Sequence, residues 1–380
     1  MIHFKLSFLA GMMMALGARS ITSEAQTSNI HDSSYPAEAI KLGLLIPEHE
    51  ALAAKDGAEL AIREANNEGG YEGRPFNLIT HSTEGPWGTG STVSVSMVFD
   101  DDVVAIIGSL DGRNAHLVEQ VATKTRVAFL SSWETDMSLS YAFVPWYFRC
   151  IPDDHQQAIA LIQEIYRKRK ITNVAIIGTE DYDSRVAVQS FVKTADSMKI
   201  PPPRQFLSES SGLDFEKVLQ EIDQSGIEAV ILFGKPSLAS YILPGLKQQN
   251  KNLAIFGSLS IIDDQKASSP DWNLYEGMTL ISSGYWFTEK GIAFQKRFLE
   301  AYGYYPGPAA AYAYDGINLI IDVIKKSGAD RNKIIDSFAG TDYKEGITGE
   351  IRFDEHGNRI GLPGLMTIKN GHPQMVTGDK

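Results

Sequence analysis

Val103–His116, VVAIIGSLDGRNAH, is the stretch whose reading decides the fold. Val103–Ile107 is an apolar run of β-prone residues with no polar alternation. That is the pattern of a strand buried on both faces, as in a parallel sheet covered by helices. Gly108-Ser109-Leu110-Asp111-Gly112 breaks the run with turn residues, and a helical pattern starts near Asn114. Strand, turn and helix in this order set polar groups and free helix amides at the carboxyl end of a strand. Open α/β sheets bind small ligands there.

The stretch has an echo. Val174–Gly178 (VAIIG) repeats Val104–Gly108 letter for letter and runs into a second polar turn, Thr179-Glu180-Asp181-Tyr182. Two similar strand ends predict two similar lobes that face one cleft. At 380 residues the chain is long enough for two domains with sizeable cores. The net charge of −12 argues against nucleic acid as a partner, since phosphate binding needs clustered Lys and Arg. The basic run Arg167–Lys170 (RKRK) reads as a solvated helix end favoured by the helix dipole. Cys150 is the one cysteine, so there is neither an intrachain disulfide nor a cysteine metal cage.

The N-terminus predicts export. Lys5 precedes an apolar, Met-rich run at Leu6–Ala18, and Ser23-Glu24-Ala25 places small residues at the cleavage positions. Residues 1–25 read as a secretory signal peptide and 26–36 as a Ser/Thr-rich disordered lead-in. The apolar run is short for a membrane span, and no nearby cysteine offers a lipid anchor. The expectation is a soluble periplasmic protein.

Along the chain, strands at Ile40–Ile46, Phe76–Thr80, Val103–Ile107 and Val127–Leu130 alternate with helical patterns. This βαβα order implies a parallel sheet with helices on both faces. Trp146–Pro152 (WYFRCIP) reads as an extended crossing, followed by a helix that Asp153 or Asp154 can cap. The layout then repeats, with strands at Asn173–Ile177, near Gln205–Leu207, Ala229–Phe233 and Ala254–Gly257. A return crossing fits near Glu276–Gly284, helices at Lys290–Tyr302 and Pro308–Lys326 rejoin the first lobe, and Thr348–Lys369 reads as a late hairpin turning at Asp354–Asn358. The expected fold class is α/β, two Rossmann-like lobes with central parallel sheets joined by hinge strands. The expected first lobe is 37–149 with 278–345, and the second is 150–277 with 346–380.

Several ordered segments carry a resemblance. They are Asp56–Gly73 (DGAELAIREANNEGGYEG), Val103–Gly108, Val127–Ser131, Phe148-Arg149 with Pro152-Asp153, Asn173–Tyr182, Tyr314-Asp315-Gly316 and Gly349–Gly357. From about Ile40 to the C-terminus the chain resembles the type I periplasmic solute-binding proteins, in the branched-chain amino-acid (Leu/Ile/Val)-binding branch. The resemblance implies two α/β lobes, three hinge strands, no catalysis, and delivery of a small-molecule ligand to an ABC permease in the inner membrane. A monomer without cofactor or metal is expected.

The resemblance also implies site positions. In amino-acid-binding relatives the turn after the organising strand supplies a hydroxyl to the ligand carboxylate. Here that place falls on Gly112, beside Ser109, Asp111 and Arg113. In the next turn Thr135 matches a ligand-binding hydroxyl, while Ser132, Trp133 and Glu134 precede it, with Trp133 and Glu134 where small residues are usual. Tyr182 matches a second-lobe tyrosine that closes over the ligand, and the acidic residue that takes the ammonium group is replaced around Leu259. Chemistry adds three candidates. The Arg113 guanidinium suits a carboxylate clamp. Trp87, like Trp133 and Trp146, offers a flat wall, although Trp146 fits a buried crossing strand. Lys235 ends a strand facing the cleft. The ligand-binding set is therefore Ser109, Asp111, Gly112, Arg113, Ser132, Trp133, Glu134, Thr135, Tyr182, Lys235 and Trp87.

Enzyme motifs fail on context. Gly88-Thr89-Gly90 follows a loop and lacks a third glycine for a dinucleotide fingerprint. There is no Gly-x-Ser-x-Gly elbow. Ser190–Lys193 has Ser-x-x-Lys spacing on a helix that its apolar face already explains, and His116 with Glu119 lacks the second histidine of a zinc helix. The sequence predicts the extracytoplasmic solute-binding component of an ABC importer, for an amino acid-like or aromatic/carboxylate solute. The alternatives are a ligand sensor for a membrane receptor and a two-lobed α/β enzyme, which share the fold.

Overall fold

The computed structural model describes residues 38–376 apart from 142–143, 209–214, 250–251, 268 and 270. The expected signal peptide and lead-in lie outside the described residues. The first sheet is built from β1 (Ile40–Ile46), β2 (Phe76–Ser82), β3 (Ala105–Gly108), β4 (Ala128–Ser131) and β5 (Tyr147–Arg149). Its spatial order is β2-β1-β3-β4-β5, with every pair parallel. Every residue of β3 and β4 is buried, which is what an apolar run without alternation requires at the centre of a covered sheet. The crossovers are α1 (Leu52–Asn67), α2 (Thr89–Phe99) and α3 (Gly112–Thr125).

The second sheet takes the chain after α4 (Asp154–Ile162), which Asp153 opens with a capping box to Gln156. Its strands are β6 (Val174–Thr179), β7 (Arg204–Ser208), β8 (Ala229–Phe233), β9 (Ala254–Gly257) and β10 (Thr279–Ile281), linked by α5 (Tyr182–Ser197), α6 (Phe215–Gln224) and α7 (Pro236–Gln249). The chain then returns through α8 (Glu289–Tyr302), α9 (Pro308–Ser327), α10 (Arg331–Ala339), β11 (Asp342–Tyr343) and β12 (Ile351–Arg352). It ends in β13 (Leu365–Lys369) and β14 (His372–Met375). The second sheet runs β14-β13-β10-β9-β8-β6-β7, parallel from β10 to β7 and antiparallel at β13 and β14.

Three apolar clusters follow from this path. One gathers residues of Ile40–Cys150 with Tyr285–Phe353, one gathers residues of Leu45–Tyr147 on the other face of the first sheet, and one gathers residues of Ile151–Ile281 with Tyr312, Met366 and Ile368. In the first, α9 lies against the small-residue face of α1. A Cβ on Gly57 would come within 2.2 Å of the Ala310 carbonyl oxygen, so only glycine lets the two backbones approach this closely. Asp264 joins the two bodies. Its carboxylate accepts the amides of Gly307 and Ala309, each at 2.7 Å, and so caps α9 from the second lobe.

Four expectations shift. The chain leaves the second sheet after Ile281, not at 278, because Thr279–Ile281 is a buried strand paired with β9 and β13. At the expected late hairpin, the Asp354–Asn358 turn is present but is flanked only by a Phe353–Arg359 bridge. The fuller hairpin is β13–β14, whose turn residues Asn370 and Gly371 both adopt the left-handed conformation (φ 53° and 68°) that a tight two-residue turn demands. The third helix begins at Gly112 rather than near Asn114, since Asp111 is its N-cap. In the basic run, Arg169 is tied inward. It bonds Glu164 and the Thr279 hydroxyl, each at 2.8 Å, and its guanidinium carbon lies 4.8 Å from the Phe256 ring centroid.

Candidate binding site between the lobes

The two echoed strand ends are built alike. Asp111 follows β3 and accepts the Asn114 amide at 3.1 Å; Asp181 follows β6 and accepts the Ser184 amide at 3.2 Å. Each aspartate starts a helix at the carboxyl end of a parallel strand. The turns meet across one crevice. The Gly112 amide donates to Asp183 Oδ1 at 2.9 Å, and the Tyr182 hydroxyl donates to Asp136 Oδ2 at 2.8 Å. The Arg113 guanidinium carbon lies 5.6 Å from the Tyr182 ring centroid. A Cβ on Gly112 would sit 2.6 Å from Tyr182 Cε1, so the missing side chain is what lets the halves close.

Between the lobes lies a cavity of about 580 Å³. Leu110, Asp111 and Trp133 line it from the first lobe, and Asp183, Lys235, Asp263 and Gln265 from the second. Glu48, Glu84 and Lys266 also line it. A neighbouring pocket shares Asp111, Asp183 and Lys235 and adds Trp87, Arg113 and Tyr182. Trp87 is 77% exposed there, a rim residue rather than a buried wall.

The expected residues therefore divide. Asp111, Trp133 and Lys235 border the cavity; Trp87, Arg113 and Tyr182 border the adjoining pocket, and Gly112 forms the contact between the lobes. The Arg113 guanidinium lies over the Tyr182 ring at the edge of that pocket. The other four do not line the cavity, and internal hydrogen bonds account for them. Ser109 Oγ accepts from Gln265 Nε2 at 2.8 Å, and Ser132 Oγ donates to the Gly108 carbonyl at 3.0 Å. Glu134 is buried and takes the Asp136 amide at 2.5 Å, and the Thr135 side chain bonds Asp154. Trp146 is half-buried against the first core. Leu259, at the position of the missing acidic residue, is buried. The residues that sequence reasoning missed are Asp183, Asp263 and Gln265. Asp183 alone had a signal, one position past the expected Tyr182.

A family model described as a periplasmic binding protein matches residues 40–369. The chain belongs to this family. Solved structures of similar fold include the branched-chain amino acid substrate-binding protein LivJ of Streptococcus pneumoniae in complex with isoleucine. It is 21% identical, with a TM-score of 0.76 over 89% of this chain and 99% of that one. The leucine-binding protein LivK of Thermotoga maritima is 18% identical (TM-score 0.75, 89% and 98% covered). A solute-binding protein of an ABC transporter from R. palustris, solved with benzoate, is 17% identical (TM-score 0.75, 89% and 95% covered). Among curated proteins, glutamate receptor 3.1 of Oryza sativa subsp. japonica is 26% identical over 223 residues. That match takes in 57% of this chain but spans only 23% of the receptor's length.

In this periplasmic binding protein the crevice is acidic. Burial, followed by the charges of Asp111 and Asp181, pushes the Asp183 carboxyl up to about 6. Burial and then Asp264 push Asp263 up to about 7. Burial and Asp183 raise Glu134 well above the ordinary carboxylate value. Asp136 goes the other way. Burial opposes its charge, but hydrogen bonds from His116, Ser138 and Tyr182 hold it well below the usual range. Its partner His116, bonded to Asp136 at 3.1 Å and next to Glu119, is pushed up to about 9. Among the described residues no group of three or more His, Cys, Asp or Glu is placed to hold a metal ion. The arrangement suits recognition of a small polar solute by fixed charges and amides.

Proposed function

We propose that this chain is the extracytoplasmic solute-binding component of an ABC importer, holding a small organic solute between its lobes and releasing it unchanged to a permease. The observation that carries the reading is the meeting of two strand-end turns, from separate sheets, across a cavity of about 580 Å³. Parallel sheets bind at their carboxyl ends, and two such ends on hinged bodies make a clamp that closes by rotation. The lobes we assign are 40–149 with 285–353, and 150–281 with 365–375. Residues 1–25 are assigned as the export signal, and the working form as a monomer in the periplasm. Membership of the periplasmic binding protein family supports binding without turnover.

The test is mass spectrometry of solute released from the purified full chain, with titration calorimetry of the solute found. The expected outcome is one solute per chain, recovered chemically intact. Recovery of a converted product would defeat the reading. The match to part of a protein named as a receptor favours a sensing role second. Transport of the solute that stops when the chain is removed, and returns with it, separates the two.

A further inference from the structure

The natural seat for a ligand carboxylate at this crevice is already filled. Free amides at the start of α3, with the positive end of its dipole, form an anion site. Asp183 reaches over from the second lobe and places its carboxylate on the Gly112 amide at 2.9 Å. A solute carboxylate brought here would compete with a charge the protein supplies to itself.

The remaining groups favour the opposite charge. Five carboxylates line the cavity, Glu48, Glu84, Asp111, Asp183 and Asp263, against Lys235 and Lys266. Lys266 is engaged by Glu48 at 3.2 Å and Glu50 at 3.5 Å. The charge of Lys235 acts on Asp181, Asp183 and Asp263 together. Gln265 lines the cavity and is 8% exposed, and its Nε2 donates to Ser109. Trp133 also lines the cavity, and an indole ring attracts cations and apolar bodies alike.

We propose that the cavity takes an organic cation, an amine or amidinium on an apolar body, and disfavours solutes that carry a carboxylate, zwitterionic amino acids included. Its N–H groups bond Asp183 and Asp263, and its body lies on Trp133. The proposal rests on the binding reading above.

The experiment is calorimetry of the full chain with four probes: benzamidine, tyramine, benzoate and isoleucine. At least one cation is expected to bind at least about thirtyfold tighter than either carboxylate. Asp183→Asn keeps an acceptor for the Gly112 amide but removes the charge, and should weaken cation binding about tenfold or more. Asp263→Asn reads the same charge should Asp183→Asn fail to fold. Benzoate or isoleucine binding tighter than both cations would overturn the proposal and leave the solute-binding reading intact. Unchanged cation affinity in both variants would also overturn it. Silence from all four probes, with no solute released from the purified protein, would sink both.

Discussion

The turn after β3 and the turn after β6 start from the same five residues and end with different chemistry. Both strands carry AIIG after a valine, both helices are opened by an aspartate, and both turns end at the crevice. The first turn then offers Gly112, an amide with nothing attached to shield it. The second offers Tyr182 and Asp183, a hydroxyl and a carboxylate. Each lobe donates once and accepts once across the crevice, Gly112 to Asp183 and Tyr182 to Asp136. A duplicated scaffold thus becomes a clamp through two or three residues past the shared strand, while the strands themselves carry only the fold.

The strongest way to break this pairing is to fill the first turn. Gly112→Val adds side-chain atoms where even a Cβ meets Tyr182 at 2.6 Å, in a backbone conformation that valine tolerates. The lobes should be held apart and solute affinity should fall on the order of a hundredfold, about 2.7 kcal/mol, by calorimetry. Small-angle scattering should show an expanded chain with unchanged helix content. Equal affinity in the variant would mean that closure does not need the bare amide.

The second turn is probed through its anchor. Asp136→Ala leaves His116, Tyr182 and Ser138 without their shared acceptor, at a cost of about 2 kcal/mol in urea unfolding. Tyr182 fluorescence or ring NMR should show that its fixed orientation is lost. An unaltered Tyr182 environment would remove Asp136 from the account of the clamp.

The smallest effect sharpens the same contact by pH. The His116 value is raised in the folded state, from 6.5 to about 9. Its contribution is therefore fully present below pH 6.5 and is lost as pH rises through 9. Because the imidazole is 31% exposed, solvent screening trims the contribution to about 1 kcal/mol. Urea midpoints at pH 6 and pH 10 should differ more in the natural protein than in His116→Gln. Equal differences would show that the ion pair contributes nothing.

Fold legibility followed burial. β1, β8 and β9 fall where the sequence predicts; β8 (AVILF) is an uninterrupted apolar run with one comfortable place in a covered parallel sheet, and β1 is apolar apart from Lys41 near its start and Gly43, with all but Lys41 buried. The short β10 was read as part of a crossing, since Thr279–Ile281 is only three residues and its identity as a strand depends on β9 and β13 beside it. The Asn370-Gly371 turn, by contrast, carried a strong local signal that went unread. At the site, Asp111, Trp133 and Lys235 were reachable because they follow strands directly. Asp263 and Gln265 follow a short helical turn after β9, and nothing local shows that they face the cavity. Ser109, Ser132 and Glu134 have ligand-binding chemistry, but their bonds are spent inside the protein, which only the three-dimensional neighbours reveal.

The packing of α9 on α1 has a consequence for how the molecule comes into being. Half of the first core is made of residues 285–353, which leave the ribosome only after the whole parallel run from β6 to β10. A chain folding from its N-terminus can therefore pair β6 to β10 while the first body still waits for a long helix to arrive, and the β13–β14 edge of the second sheet is added last. Until then the alanine-rich flank of α1, with Gly57 at its centre, lacks the helix that covers it in the folded protein.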